Sequence, residues 1–237
     1  MSLSSKKSAS HPLISIIIPA LNEEEALPKV LADIPRTLNA DVIVVDNGST
    51  DSTKEVAVIG GARVVVAPER GYGAACLAGI AALQSPDIVV FMDGDYSDFP
   101  EEMTDLIAPI LENRADMVIG SRTAGRREKG ALPPHSLFGN WLASRLLFLL
   151  YRQRATDLGP FRAIRFEALQ NLKMQDRGYG WTVEMQIKAA QQHLRVLEIP
   201  VRYRCRIGKS KITGSLKASI HAGIIILATL FKYALPK

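Results

Sequence analysis

Five short apolar runs limit what this chain can fold into. They begin at Leu13, Asp41, Arg63, Asp87 and Asp116, and each is strand-length, rich in Ile and Val, and continuous rather than alternating. Runs of that kind belong to strands buried on both faces. Stretches of helix length separate them, and this strand–helix rhythm implies a mostly parallel central sheet covered by helices on both sides. The predicted fold is a single α/β domain. No Gly/Ser/Pro linker divides the 237 residues, and an apolar content of 47% supplies a sizeable core. Asn22 with Glu25 three residues on has capping-box spacing, which predicts a helix starting there.

The fourth run, Asp87-Ile-Val-Val-Phe-Met, passes directly into Asp93-Gly94-Asp95. Two roles fit carboxylates so placed. They can hold a divalent cation, since Mg²⁺ is held by one or two carboxylates together with substrate phosphates. They can also form an Asx turn or cap the next helix. Polar residues closing a strand recur at Asp46-Asn47-Gly48 and Arg122, and open α/β sheets bind ligands at the carboxyl ends of their strands. Arg70-Gly71-Tyr-Gly73 follows the third run. Gly71-x-Gly73-x-x-Cys76 nearly matches a dinucleotide fingerprint, but the third small residue is Cys and the motif follows the wrong strand. A loop turning backbone N–H groups toward phosphate fits those glycines equally well.

Residues 123–136 read as a mobile loop whose Arg126, Arg127 and Lys129 are solvated charges or a phosphate lid, and His135 reads as structural. Leu137 to Leu150 is a largely apolar helix too short to span a bilayer, which takes about 20 residues. Val201 to Ile207 alternates strictly, so Arg202, Arg204 and Arg206 share one face of a predicted strand. Three like charges side by side call for anions or water. The net charge of +5 is concentrated at this end: after Glu198, the last acid, come eight basic residues. A phosphate ligand or a membrane surface suits that asymmetry. Nucleic acid does not, because no aromatic stacking platform interleaves the cations. The stretch 217–235 is apolar with basic flanks and predicts an interfacial helix, with packing on protein or in a homodimer as the other option. Cys76 and Cys205 form no metal or disulfide pattern, and residues 1–12 carry no apolar leader, so a cytoplasmic setting is expected.

Taken together, Ile16-Ile-Ile-Pro19-Ala-Leu21-Asn22-Glu23, Val44-Val45-Asp46-Asn47-Gly48-Ser49 and Asp93-Gly94-Asp95 resemble the family 2 glycosyltransferases of GT-A fold. Thr156-Asp157-Leu-Gly159-Pro-Phe161-Arg162, Gly178-Tyr-Gly180-Trp181-Thr-Val-Glu184 and Glu198-Ile-Pro200 through Lys211 are similar to the polyprenyl (dolichyl) phosphate mannose or glucose synthase branch. The resemblance implies a GT-A domain over 13–213, a polar lead-in over 1–12 and a C-terminal amphipathic helix over 214–237. It also implies an inverting hexosyltransferase using a UDP- or GDP-sugar. Pro19, Leu21, Glu23, Val45, Asp46, Asn47, Arg70, Gly71 and Gly94 would line the nucleotide-sugar site. Asp93 and Asp95 would hold Mg²⁺ or Mn²⁺ and the donor diphosphate, and Arg122, Arg206 and Lys211 would meet phosphates. Many relatives carry two acids where this chain has Asp46-Asn47, which leaves uracil and guanine both open. Asp95 would be catalytic through the metal, and Asp157 and Glu184 are the acids nominated as a base. A phosphate acceptor needs no base, since its second pKa is about 6. The preferred acceptor is therefore polyprenyl phosphate, met by a peripheral protein on the inner membrane face. The alternatives are a soluble alcohol or metabolite acceptor, and a nucleotide-binding recruitment module without turnover.

Overall fold

The computed structural model describes residues 12–208 and 216–234. Its centre is one seven-stranded sheet: β1 (Ile14–Ala20), β2 (Asp41–Asp46), β3 (Arg63–Val66), β4 (Ile88–Phe91), β5 (Met117–Ser121), β6 (Arg162–Arg165) and β7 (Val196–Pro200), in spatial order β3-β2-β1-β4-β6-β5-β7. The five predicted strands are β1 to β5. Neighbours pair in parallel except at β6, which runs antiparallel to both β4 and β5.

Successive side chains of a strand point to opposite faces. Ile16 and Ile18 therefore pack on one side with Val30, Leu106 and Ile110, from α1 (Leu27–Asp33) and α4 (Met103–Leu111). Ile17 packs on the other with Ala75, Leu169, Trp181 and Met185, from α3 (Tyr72–Ala81), α6 (Phe166–Leu172) and α7 (Trp181–Gln191). Each fully buried Ile contributes about 2 kcal/mol, which is why these runs are apolar throughout. α2 (Thr53–Ile59) joins the first face through Ala57. A further layer comes from α5 (Pro134–Tyr151) and α8 (Leu216–Ala234), whose Ala143, Leu147 and Leu230 pack on Val183 and Ile187 of α7. The two helices run side by side in the same direction. His135 meets Ser219 near their starts at 3.2 Å, and Tyr151 donates to the Leu230 carbonyl near their ends.

Three expectations change. The first helix does not begin at Asn22. Asn22 sits in the left-handed region (φ 51°) and its Oδ1 accepts the Thr50 N–H at 2.8 Å, while Glu24 accepts the Ser52 N–H. These side chains tie the β1 loop to the β2 loop, and α1 starts at Leu27. Residues 201–207 are not a regular strand. β7 ends at Pro200, and the segment threads between two loops: Tyr203 N–H bonds to Arg126, whereas Arg204 N–H and Ile207 N–H bond to Ser97 and Asp95. The 123–136 loop is correspondingly held by backbone bonds to Tyr203, with Arg126, Arg127 and Lys129 exposed to solvent. Residues 1–11 and Lys211 lie outside the described residues.

Candidate active site

The strand order reverses direction between β1 and β4, and the loops leaving β1, β2, β4 and β5 converge at that edge, the position where open sheets take ligands. A cleft of about 920 Å³ opens there. Pro19, Leu21, Glu23, Asn47, Arg70, Gly71, Asp93, Gly94, Asp95, Arg122 and Arg206 line it. Val45 and Asp46 do not. Val45 is in the core, and Asp46 is buried with Oδ1 accepting the Ser49 N–H at 3.0 Å, which shapes the turn.

The carboxylates after β4 have distinct environments. Asp95 Oδ1 accepts the Ser97 N–H and hydroxyl at 2.9 and 2.5 Å, and its Oδ2 faces Arg206 at 3.0 Å. Asp93 Oδ1 is buried and lacks a hydrogen-bond partner among the described residues. Burial, then the neighbouring Asp95 charge, pushes Asp93 up to about 7. Asp98 is completely buried beside them, and burial, followed by the charges of Asp93 and Asp95, raises its carboxyl well above the usual range. Acids crowded in this way fit a hard divalent cation, which takes oxygen ligands and relieves their repulsion. When bound, such an ion supplies positive charge to a leaving diphosphate. Arg206 already bridges Asp95 and Glu23, at 2.8 Å from Glu23, with a guanidinium.

The other two arginines of that segment are satisfied within the protein. Arg202 pairs with Glu101 and Glu102, and Arg204 lies over the Tyr96 and Phe99 rings while donating to the Tyr96 and Asp98 carbonyls. Only Arg206 of the three lines the cleft.

Neither Asp157 nor Glu184 is placed as a base. Asp157 is fully buried and holds Arg122 in a fork, with Nε–Oδ2 2.8 Å and Nη2–Oδ1 2.7 Å, and it also accepts the Arg122 N–H. Burial alone would raise its carboxyl, but the Arg122 charge and hydrogen bonds hold it below the usual range. A carboxylate so committed cannot take a proton from an acceptor. It fixes a cation instead: Arg122 lies 5.1 Å over the Tyr203 ring and reaches the cleft. Glu184 is likewise buried. It accepts the N–H groups of Gln175 and Asp176 and the Tyr233 hydroxyl, and pairs with Lys188. Burial opposes its charge, yet Lys188 and Tyr233 hold it below its ordinary value.

The glycine loop also has another use. Gly73 and Ala74 donate their N–H groups to the carbonyls of Gly178 and Arg177, not to the cleft. A Cβ on Gly73 would lie 2.1 Å from the Asp176 carbonyl oxygen, so close backbone approach demands glycine. Asn47 both donates to the Gly71 carbonyl at 2.9 Å and accepts its N–H at 3.1 Å. An aspartate could not make the first bond.

Several cleft residues had no role assigned from sequence. Tyr72, Tyr179, Thr182 and Tyr203 line the cleft, and so do Asn140, Ser219 and His135, the last expected to be structural. Tyr179 and Thr182 sit inside the Gly178–Glu184 motif, which was the available signal. Beyond the arginines the cleft continues between α5 and α8 as an apolar trough, walled by Leu137, Leu142, Leu158, Ala222, Ile226 and Leu227.

Comparison with known proteins agrees with this geometry. The family model described as glycosyl transferase family 2 matches residues 15–173. An uncharacterized glycosyltransferase of Mycobacterium tuberculosis is 41% identical over 217 residues, covering 88% of this chain and 94% of the relative. A dolichyl-phosphate hexose transferase of Haloferax volcanii is 33% identical over 204 residues, covering 84% and 86%. Among solved structures, glucosyl-3-phosphoglycerate synthase from Mycobacterium tuberculosis, in complex with Mn²⁺, uridine diphosphate and glucosyl-3-phosphoglycerate, superposes with a TM-score of 0.75 at 26% identity, covering 95% of this chain and 81% of that one. With its sheet, its paired carboxylates and these relatives, the chain belongs to glycosyl transferase family 2 and is a glycosyltransferase of GT-A fold.

Proposed function

We propose that the protein transfers a hexose from a nucleoside diphosphate sugar, with inversion, to a polyprenyl phosphate. The observation that carries this reading is the course of the cleft. It runs from Asp93, Asp95, Arg122 and Arg206 into the apolar trough between α5 and α8, so a ligand spanning it has an anionic head and a hydrocarbon tail. The commitment of Asp157 and Glu184 to other partners also favours an acceptor that arrives ionised. The Haloferax dolichyl-phosphate hexose transferase supports the same branch.

Pro19, Leu21, Glu23, Asn47, Arg70, Gly71 and Gly94 bound the nucleotide-sugar. Asp93 and Asp95 would hold Mg²⁺ or Mn²⁺, which would supply positive charge to the departing diphosphate; the solved structure of the related synthase contains Mn²⁺ with uridine diphosphate. Arg206, and Lys211 beyond the described residues, balance the donor and acceptor phosphates. Arg122 is a fixed cation on the same wall. Such preorganised charge is the largest catalytic contribution for a departing diphosphate.

Incubation with labelled UDP- and GDP-sugars, Mn²⁺ and polyprenyl phosphate should give an organic-extractable product. Asp95→Ala should lower its formation by at least about 10³-fold, the scale of losing a charge-stabilising group. A second reading, a small phosphorylated acceptor, is favoured by the likeness to glucosyl-3-phosphoglycerate synthase. An aqueous product made with phosphoglycerate, and none with any lipid phosphate, would establish it in place of the first.

A further inference from the structure

We propose that the outward faces of α5 and α8 together form a docking face for a bilayer containing anionic lipid, with Trp141 of α5 as its central anchor. The sequence pointed to the C-terminal helix alone. In the structure both helices bury one side on α7 and leave the other bare. Phe138, Trp141 and Leu149 of α5 are 62%, 53% and 63% exposed, and Ile220, Ile224 and Phe231 of α8 are 55%, 60% and 51% exposed. On α5 the spacing 138, 141, 145, 149 is a single helical stripe, and on α8 so is 220, 224, 231. Leu150 of α5 is exposed off that helix's stripe, and the other large exposed apolar side chains are spread over α2, β3, α4 and the residue before β1. Two parallel adjacent helices that both expose such stripes form one patch, and patches of this kind mark interaction sites.

Charge selects the partner. From Ala131 to Thr156, and throughout α8, the sequence has no Asp or Glu. Arg145 of α5 and Lys232 of α8 are exposed, and so are Arg152 and Arg154 directly after the end of α5. The Arg145 guanidinium lies 6.0 Å from the Trp141 ring, and Arg154 lies 5.9 Å from Phe148. An apolar stripe with an interfacial indole, on segments whose charged residues are all cations, matches an anionic membrane surface. Packing two copies face to face would instead bring these cations together. No helix among the described residues is long and apolar enough to cross a bilayer, so the contact is lateral. The inference does not depend on the acceptor, because it rests on the outer faces of the helices and not on the trough.

The test uses the full chain with phosphatidylcholine vesicles, with and without phosphatidylglycerol. Of the two tryptophans, Trp181 is 1% exposed and Trp141 53%, so a fluorescence blue shift and quenching by brominated lipid report Trp141. Binding should require phosphatidylglycerol and weaken with salt. Phe138→Gln with Trp141→Gln should lower co-sedimentation by about tenfold or more, and so should Arg152→Gln with Arg154→Gln. Ile224→Gln should weaken it as well, while all three variants keep the circular dichroism spectrum and melting temperature of the parent protein, which certifies the fold. Equal binding to both vesicle types, or none, overturns the proposal. A concentration-dependent dimer that shifts Trp141 emission without lipid overturns it in favour of a self-association face. Vesicle binding can fail while organic-extractable product still forms in detergent, and then docking falls and the acceptor reading stands. If binding holds while the product is aqueous, the reverse follows.

Discussion

Asp157 and Arg122 show what a single residue pair does for this site. The carboxylate is sealed, the guanidinium is aimed at the cleft, and Gly159 gives it room, since a Cβ there would lie 2.9 Å from Arg122 Nε. Breaking a buried pair by removing one charge costs about 3 kcal/mol. Asp157→Asn should therefore lower stability by that amount at pH 7. Folding depresses this carboxyl, so its stabilisation is complete above the unfolded value of about 3.9 and vanishes as pH falls through the lower folded value. Denaturation curves of the two proteins should converge as the pH drops below that range and stay apart at neutrality. Glu184→Gln should cost about 2 kcal/mol and speed amide exchange at Gln175 and Asp176, because it loses charge-assisted bonds to both N–H groups. An unchanged exchange pattern would contradict that anchoring role. Sequence made Asp93, Asp95 and Arg206 legible, since a carboxylate pair ending an apolar run and an alternating cation are local patterns. It could not reveal that Asn47 grips Gly71, or that Asp157 grips Arg122, because those partners are 24 and 35 positions apart.

At the scale of elements, the start of α3 is clamped from outside. Gly71 and Gly73 let residues 176–178 lie directly against it, and that approach brings Gly178 and Tyr179 to the cleft wall. Gly73→Ala should destabilise the protein by about 2 kcal/mol, as overpacking does, and weaken binding of the nucleoside diphosphate, uridine or guanosine, that the parent protein takes, as measured by calorimetry. Gly139→Ala meets open space on α5 and should raise stability by up to about 1 kcal/mol through helix propensity. If Gly73→Ala behaved like Gly139→Ala, the clamp would be dispensable. Strands β1 to β5 were readable because apolar runs of that length are unambiguous next to turn residues. The start of α1 was not, since the Asn22 side chain meets a competing backbone donor from the β2 loop. The 201–207 segment alternates like a strand, yet its hydrogen bonds go to two loops, and periodicity cannot tell those from a ladder.

Across the whole molecule, the parallel core was implied by the strand–helix rhythm, whereas the reversal of β6 was not, since pairing direction leaves no mark on four residues. That reversal matters for how the cleft is divided. The residues proposed to bound the nucleotide-sugar, from Pro19 to Gly94, and the paired carboxylates all precede α4, whereas the cleft cations Arg122 and Arg206 come after it and the trough is built entirely from residues after Gly130. The turn at 112–114 between them is exposed. One genetic crossover at that turn would exchange the trough together with the phosphate-facing cations, while leaving behind the loops of β1, β2 and β4 that are proposed to choose the nucleotide. A hybrid of residues 1–112 with the remainder of the Haloferax relative should keep this protein's choice of nucleotide and adopt the other's acceptor, as product analysis with paired donors and acceptors would show. A family that diversifies by recombination would need only this one seam.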